Sequence, residues 1–455
     1  MQRNRLMNKK IMIAMLLFTN SYAYSQLAVP PPPQKVNEFS LAQALEYGKL
    51  HNVQVQNALI DIKIQEQVNR DITSIALPQI NGNGALTDYL NIPTTLLPGE
   101  IVGQPSGTFV PVKFGTKWTS NAGVSLSQLV FDGQVFIALK ARNGTIQLAK
   151  KVEEITEENI RANVYKIYYQ LVLSKTQMQL LDANLERLQK LLHDFQIMYD
   201  NGFIEKLDID KVTVQIANLQ SEKIAVNNMI RNGFTGLKTL IGFPVRDSLL
   251  LTDSLSDDQV KENVLEINQF NYSERRDYQV MELTNKLNAL NVRRYKLSQL
   301  PTLSLVGNYS KQAQRNQFDF FGKGSWFTTS FIGLQLNVPI FHGFSLSSKT
   351  QKARLELRQS QNIQENLKNS IDGEIQNARN NFATTVTSMD FQKKNMVLAE
   401  KVYDQTKKKY EIGTGSTTEI NTAQVDLKAA QTNYINALYD AIIAKVDFLK
   451  ATGKL

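Results

Sequence analysis

The segment Tyr199-Asp200-Asn201-Gly202 returns as Tyr410-Glu411-Ile412-Gly413, 211 residues further along the chain. The same offset aligns more distant pairs, namely Ile209 with Ile420, Val214 with Val425, Gln220 with Gln431, and Gly242 with Gly453. Solenoid repeats have periods of about 20 to 50 residues, so a spacing this long indicates something else. The sequence therefore predicts two copies of one large structural unit.

The upstream part of each copy contains a second pair of matches. Leu77–Ile80 corresponds to Leu300–Leu303 at an offset of 223, and Val130–Gly133 corresponds to Ile340–Gly343 at an offset of 210. The offset changes by 13 residues between these two matches. The extra residues fall in the stretch 90–117, which is rich in Gly and Pro, so we predict an enlarged surface loop there.

Proline is confined to a few places, and the stretches 112–243 and 340–455 contain none. Because proline interrupts helix interiors, both stretches are free to form very long helices. Between Lys140 and Tyr199 apolar residues recur at helical spacing, for example Leu181, Leu185, Leu188, Leu192 and Phe195. A helix of that extent would be about 100 Å long, which an ordinary compact domain does not need.

Each half also contains two segments with period-two alternation, which predict strands. In Phe327 to Ile340, the apolar parity holds Ile332, Leu334, Leu336 and Val338, and the other holds Gly333, Gln335 and Asn337. The remaining alternating segments are 79–86, 118–131 and 303–310. Half-buried strands of a soluble sheet and staves of a membrane barrel share this pattern. The two tryptophans, Trp118 and Trp326, stand at the loop end of the second strand in each half, which favours a membrane interface.

Four strands cannot close a membrane barrel, since the smallest single-chain barrels use about eight. An open edge within lipid would leave unpaired backbone groups. The chain must therefore associate with further copies. Two copies would give eight strands and three would give twelve, and strand counting by itself leaves both numbers open.

The start of the chain reads as an export signal. The cations Arg3, Arg5, Lys9 and Lys10 precede an apolar run from Ile11 to Phe18, and Ala23-Tyr24-Ser25 follows. The formal charge is +9, and without those four cations it is +5, which is too small to indicate a nucleic-acid partner. There is no cysteine, which excludes disulfides and a lipidated cysteine anchor.

These features together resemble the TolC-like outer-membrane efflux family over the whole chain after the signal. The most specific motifs are Phe39-Ser40-Leu41-Ala42-Gln43-Ala44-Leu45 and the segment from Tyr410 to Ile420. The family's short helices usually start with Asn-Pro or Arg-Pro, and here Asn52-Val53 and Arg275-Arg276 lack the proline. The resemblance implies a mostly α fold with a membrane β-barrel part, in which a trimer forms a twelve-stranded barrel and a long α-helical barrel.

The expected organisation has nine segments. They are a signal peptide (1–25), an extended Pro-rich segment (26–38), the helices of repeat 1 (39–77), membrane hairpin 1 (78–131) with its outer loop (90–117), the long helical hairpin 1 (132–243), a linker (244–272), the helix of repeat 2 (273–300), membrane hairpin 2 (301–341) and the long helical hairpin 2 (342–455).

The resemblance also implies a passive exit duct that joins a periplasmic adaptor and an inner-membrane pump. Asp208 and Tyr410 would latch the inner aperture, and Glu419 would contribute an acidic ring. Gly415 and Thr422 replace an arginine of a second link and a second acidic position, so the latch and the ring are expected to be weaker. Acidic residues at helix N-termini are also stabilised by the helix dipole. The turns expected to contact the adaptor are Gly202, Phe203 and Ile204, and Gly413, Thr414 and Gly415.

Nothing in the sequence predicts an enzyme, a cofactor or a metal site. His51, His193 and His342 lack metal-binding spacing, and Gly413–Thr417 lacks the lysine of a phosphate-binding loop. The main alternative is an exported coiled-coil tether that conducts nothing, although it leaves the paired strands unexplained. The nature of the cargo is open, because the pump would select it.

Overall fold

The structure is a computed structural model that describes residues 37–255, 257–261, 270–322 and 324–455. The expected signal peptide, most of the 26–38 segment and part of the 244–272 linker lie outside these ranges. The helices are α1 (Leu41–His51), α2 (Val53–Ser74), α3 (Gly133–Asp200), α4 (Lys206–Ile241), α5 (Asp257–Lys261), α6 (Arg276–Leu297), α7 (Ser345–Glu411) and α8 (Thr417–Ala451). The strands are β1 (Asn37–Phe39), β2 (Gln79–Asp88), β3 (Thr94–Pro98), β4 (Phe109–Lys113), β5 (Trp118–Phe131), β6 (Leu249–Leu251), β7 (Thr302–Arg315) and β8 (Phe327–Asn337).

Four of the strands form one open antiparallel sheet in the order β2-β5-β7-β8. The duplicated hairpins meet where β5 pairs with β7, with an irregularity between Leu129 and Phe131. The two edges are β2 and β8, which have similar lengths of 10 and 11 residues. The predicted four-stranded sheet built from two hairpins is therefore confirmed, and neither of its edges has a partner strand among the residues that the structure describes.

The helices next to the sheet follow the order of the strands. α2 leads into β2, α3 follows β5, α6 leads into β7 and α7 follows β8. α2 packs against α3, α3 against α6, and α6 against α7. The helical layer consequently has open edges at α2 and α7, on the same two sides as the open strand edges.

Two helices continue far beyond this layer. α3 has 68 residues and α7 has 67, so each is about 100 Å long. α4 folds back along α3, α8 folds back along α7, and α3 also packs against α8. In the described ranges, no helix contains a stretch that is long and apolar enough to cross a membrane.

Buried side chains from both halves form shared cores along these helices. Near the far turns, Phe195 of α3, Val212 of α4 and Leu427 of α8 are completely buried in one cluster, which we call the tip core. A second cluster joins Phe382 and Met389 of α7 to α8. Burial of apolar surface is the main favourable term in folding, so neither half is expected to be stable without the other.

A short parallel pair of strands was not predicted. β1 pairs with β6 from Asn37↔Leu249 to Phe39↔Leu251, and β6 lies within the segment 244–272 that was expected to be a linker. The Tyr168 hydroxyl of α3 donates to the Phe39 carbonyl oxygen at 3.0 Å, which ties this pair to the long helix. Three-residue strands are too short to produce a detectable alternation in sequence.

The repeat partners Gly242 and Gly453 end the returning helices for the same physical reason. Both adopt positive φ, at 75° and 72°. A Cβ at Gly242 would collide with the His51 carbonyl group, and one at Gly453 would approach the Glu274 carbonyl oxygen at 2.8 Å. Each glycine thus lets the end of a returning helix lie close to the backbone just before a shorter helix, which is α2 for Gly242 and α6 for Gly453.

We expect Gly242→Ala to lower the free energy of unfolding by roughly 2 to 5 kcal/mol, because left-handed strain and steric overlap add. Gly202→Ala is the matched control, since Gly202 has φ 78° and nothing within 4 Å of its would-be Cβ. It should cost only about 1 to 2 kcal/mol. Urea unfolding of the detergent-solubilised protein, followed by circular dichroism at equal protein concentration, measures both. Equal losses would contradict the steric explanation.

Candidate functional site

In the four-stranded sheet, the register places the mainly apolar set of alternate residues from each strand on the same side, which we call the apolar face. Ile80 lies opposite Leu126, Val124 opposite Tyr309, and Leu305 opposite Leu334. Directly paired residues of neighbouring strands project to the same side. The face carries Ile80, Val124, Leu126, Leu303, Leu305, Tyr309, Ile332, Leu334 and Leu336. Several of these side chains are far more exposed than a soluble monomer favours, including Ile332 at 74% and Leu334 at 68%.

The opposite side, the polar face, is lined mainly by small polar side chains. Across the strands Asn81 pairs with Ser125, and Ser125 with Asn308. Asn83, Asn121, Ser310, Gln312 and Gln335 have the same parity. The apolar exceptions on this face include Phe331, opposite Asn308, Phe327, opposite Gln312, and Val306, opposite Gly333. A sheet with one apolar and one polar face suits the wall of a water-filled membrane pore.

Both predicted interface tryptophans lie at the end of the sheet remote from the helices, which we call the outer end. Trp118 begins β5, shares the parity of Leu126, and packs edge-on against Phe318 with a centroid distance of 5.2 Å. Trp326 directly precedes β8 and lies 6.3 Å from the ring of Phe320. Their position is compatible with an interfacial belt, which stays a prediction.

Aromatic side chains also cluster at the inner end, where the sheet joins the helices. This cluster was not predicted from the sequence. Phe131 packs on Phe136, and Phe341 on Phe344, each pair with centroids 5.7 Å apart. Phe341 and Phe344 are mostly exposed. The duplicated Phe-x-Gly at Phe131 and Phe341 is the signal that could have revealed them.

Phe344 is unusual because its φ is +64° although it is not glycine. It precedes α7 without capping it, whereas Asp132 caps α3 by accepting from the Gln134 N–H at 2.7 Å. A left-handed conformation costs a residue of this kind about 1 to 3 kcal/mol. The two halves therefore start their long helices differently.

The enlarged outer loop has structure of its own. β3 and β4 pair between Thr94↔Lys113 and Pro98↔Phe109, which corrects the expectation of a plain loop. Prolines within both runs argued against strands, yet a two-stranded ribbon has only edges, and edges tolerate proline. A cavity of about 200 Å³ lies between loop residues such as Phe114 and the polar-face side chains Gln312 and Gln314. The loop consequently leans over the polar face at its outer end.

The predicted turns, which we call the tip (201–205 and 412–416), end both long helices through glycines with positive φ. The Phe203 N–H donates to the Met198 carbonyl oxygen at 2.8 Å, and the Thr414 N–H donates to the Lys409 carbonyl oxygen at 2.9 Å. Phe203 is 77% exposed, whereas Ile204 packs on the tip core.

Gly415, where the resemblance led us to expect an arginine, is explained by this geometry. A Cβ there would lie 2.9 Å from the Tyr410 backbone nitrogen. The turn as folded has no room for a larger residue without a shift of backbone.

The two proposed latch residues are near each other but are not hydrogen-bonded. The Tyr410 hydroxyl donates to Met198 Sδ at 2.9 Å, whereas Asp208 in the first turn of α4 accepts from Lys211 Nζ at 3.3 Å. Burial, with smaller contributions from the charges of Asp194 and Asp208, raises the pKa of Tyr410 to about 12. The hydroxyl therefore stays protonated at neutral pH and acts as a donor.

Glu419 lies in the first turn of α8, exposed, and its N–H donates to the Ser416 hydroxyl at 3.1 Å. Thr422 is also exposed one turn later. The sequence reading overlooked Asp426, which is exposed two turns after Glu419 and therefore on the same helical face. This face keeps two acidic side chains despite the threonine.

A buried amide cluster connects the two long hairpins above the tip, and sequence reasoning missed it. Asn184 of α3 donates through Nδ2 to Gln431 Oε1 at 2.8 Å and accepts at Oδ1 from Gln424 Nε2 at 2.8 Å. All three side chains are buried. Buried polar contacts of this kind help to fix the register between helices. Their partners are more than 200 residues apart in the chain, so they leave no local signal in the sequence.

No cluster of three or more His, Cys, Asp or Glu able to hold a metal ion occurs among the residues that the structure describes. The features above are thus two faces of a sheet, a pair of turns and the contacts between helices.

Comparison with known proteins agrees with this geometry. Residues 273–454 match the Outer membrane efflux protein family. Outer membrane protein TolC of Escherichia coli (strain K12) is 19% identical over 91% of this chain and 82% of its own length. The outer membrane protein VceC of Vibrio cholerae superposes with a TM-score of 0.70 at 14% identity, over 91% of this chain and 96% of VceC. The CmeC outer membrane channel of Campylobacter jejuni gives 0.72 at 16% identity, over 91% and 85%.

The solved structures establish the shared fold, and the sequence relatives extend across both halves of the chain. The duplicated hairpin-and-helix unit, the four-stranded sheet and the long helices agree with what the resemblance implied. Residues 273–454 therefore match the Outer membrane efflux protein family, and the chain as a whole is similar to TolC and shares the fold of outer-membrane channel proteins.

Proposed function

We propose that this chain is one subunit of a trimeric outer-membrane exit duct, through which an efflux pump or a secretion system passes its cargo unchanged. The observation that carries the proposal is the coincidence of open edges. β2 and β8 lie at the two sides of the sheet, and α2 and α7 lie at the same two sides of the helical layer. One contact between copies can therefore close both layers at once.

The edges are suited to such a contact. β2 and β8 run in opposite directions, because three antiparallel pairings separate them. A β8 edge can thus pair antiparallel with β2 of the next copy, and the ring closes without a free edge in lipid. Three copies supply twelve strands, a number that leaves a lumen lined by the polar face.

The helical edges also present unpartnered apolar surface. α2 exposes Val53, Ile60, Ile64 and Val68 along one face, and α7 exposes Leu355 and Ile363. Covering these side chains would contribute to association at about 25 cal/mol per Å² of apolar surface. The alternative function, an exported coiled-coil tether, does not account for the exposed apolar face of the sheet. A membrane channel accounts for both this face and the long helices.

The proposed partners are a periplasmic adaptor and an inner-membrane pump that supplies the energy, and the similarity to efflux and secretion proteins supports them. TtgC of Pseudomonas putida is named as a probable efflux pump outer membrane protein, and PrtF of Dickeya chrysanthemi as a proteases secretion protein. For this chain we propose that the tip residues, including the exposed Phe203, contact a periplasmic adaptor of an inner-membrane pump. Asp208, Tyr410 and Glu419 would control the aperture beside that contact.

Reconstitution of the purified protein into planar bilayers tests the proposal. We expect stepwise conductance and, in detergent, a particle of three chain masses by light scattering. A mock purification from cells lacking the gene is the control, because any conductance caused by detergent or by contaminating proteins would also appear there. A protein that is monomeric in detergent and never conducts would contradict the proposed channel.

A further inference from the structure

We propose that Met198 is an oxidation site, and that its sulfoxide fastens α7 to α3 at the tip. Met198 lies in the last turn of α3, and Tyr410 in the last turn of α7. The hydrogen bond from the Tyr410 hydroxyl to Met198 Sδ, at 2.9 Å, is a direct polar contact between the two hairpins at this level. The chemical state of one sulfur atom thus sets the strength of a cross-hairpin contact.

The surroundings of Met198 allow a small oxidant to reach the sulfur. Its side chain is half-buried, and it lines a cavity of about 380 Å³ together with Leu191, Ile197, Tyr403 and Tyr410. A cavity of this volume has space for one additional oxygen atom. Oxidation therefore does not require the tip core to be disrupted.

The reaction is a two-electron oxygen transfer from a peroxide. The thioether sulfur attacks one peroxide oxygen, the O–O bond breaks, and the transferred oxygen becomes the S=O group. Its proton moves to the departing oxygen, which leaves as water when the oxidant is hydrogen peroxide. Sulfur is oxidised and peroxide is reduced, and no other reactant is needed.

The product is a better acceptor than the starting group. A thioether sulfur accepts hydrogen bonds weakly, whereas the sulfoxide oxygen is polar. The Tyr410 hydroxyl is kept protonated by its raised pKa and remains available as the donor. Arg187, Lys190 and Lys407 line the cavity together with Asp194 and Glu411, so three cations stand against two carboxylates near the new oxygen. The cross-hairpin contact consequently becomes stronger upon oxidation.

Two other methionines provide internal references for the reaction. Met229 on α4 is 49% exposed, and Met389 on α7 is completely buried. On treatment of the purified full chain with hydrogen peroxide, Met198 should gain one oxygen at a rate close to that of Met229 and about tenfold faster than Met389. Peptide mass spectrometry of timed samples gives the three rates.

Hydrogen exchange measures whether the contact between α7 and α3 at the tip becomes more stable. In the oxidised protein, amides in the last two turns of α7 (404–411) should exchange about fivefold more slowly than in the reduced protein, because the stronger hydrogen bond opposes local opening. Methionine sulfoxide reductases of both stereospecificities should reverse the change. Tyr410→Phe should still be oxidised at Met198 yet show no slowing, and Met198→Leu should show neither effect.

Two results would overturn the inference. One is oxidation of Met198 as slow as that of Met389, and the other is unchanged or faster exchange at 404–411 once Met198 is oxidised. Neither measurement involves conductance, so failure here leaves the proposed channel untouched. Equally, absence of conductance in bilayers would not alter the oxidation rates.

Discussion

Leu334→Arg is expected to remove most of the assembled protein from the outer membrane. Leu334 lies within β8 on the apolar face, opposite Leu305, and is 68% exposed. An arginine on the lipid face of a membrane barrel costs about 2 to 4 kcal/mol near the bilayer centre. A symmetric oligomer would bear that cost in every subunit. Heat-modifiable oligomer in the outer-membrane fraction, quantified by gel electrophoresis, measures the loss.

The neighbouring substitution Gln335→Arg is the matched control. Gln335 is next in β8 but lies on the polar face, which we assign to the aqueous lumen. Because the same side chain is introduced one residue away, differences in translation or export should be small. We expect near-normal oligomer for Gln335→Arg. Equal depletion of both variants would argue against the assignment of the two faces.

The second large effect is expected from combining Asp208→Ala with Tyr410→Phe. The first change removes a carboxylate beside the tip, and the second removes the hydroxyl that donates to Met198. Loss of one such hydrogen bond is worth about 1 kcal/mol, which corresponds to roughly a fivefold rise in the ratio of open to closed channels. Single-channel recording in planar bilayers should therefore show higher mean conductance than the parent protein.

A double-mutant cycle shows whether the two residues act together. They are not hydrogen-bonded in the structure, although the Asp208 charge contributes to the raised pKa of Tyr410. Tyr403→Phe is the control, because Tyr403 is buried in the same tip core seven residues earlier in α7. It should leave conductance unchanged. Parent-like conductance in the double variant would exclude the latch.

Much of the fold could be predicted because its signals are local. Alternation with a period of two in 327–337 and helical spacing in 140–199 are visible in short windows, and both recur in the other half of the chain. The resemblance to a known family then supplied the architecture, which the comparisons confirm. Of the site, the repeated glycines Gly202 and Gly413 indicated the turns, whereas the roles of Asp208, Tyr410 and Glu419 came from the family resemblance and stay predictions.

Other features of the site depend on partners that are remote in sequence. The partner of Tyr410 is Met198, 212 positions away, and Asn184 bonds to Gln424 and Gln431 at similar separations. The inner aromatic pairs, and the acidic residue Asp426 beside Glu419, were overlooked although their spacing was visible. β3 and β4 were not predicted, because proline within a short segment is more typical of a loop than of a strand.

The sequence by itself determined the duplicated unit, the long proline-free helices and the alternation of each strand, since these depend on side-chain periodicity and backbone preference. Only the tertiary structure decided which parities share a face, because register is set by pairing between strands. It also decided that the strand and helix edges open on the same sides, and that Tyr410 donates to a methionine sulfur instead of Asp208. Such contacts depend on how distant segments pack, which no short window of sequence records.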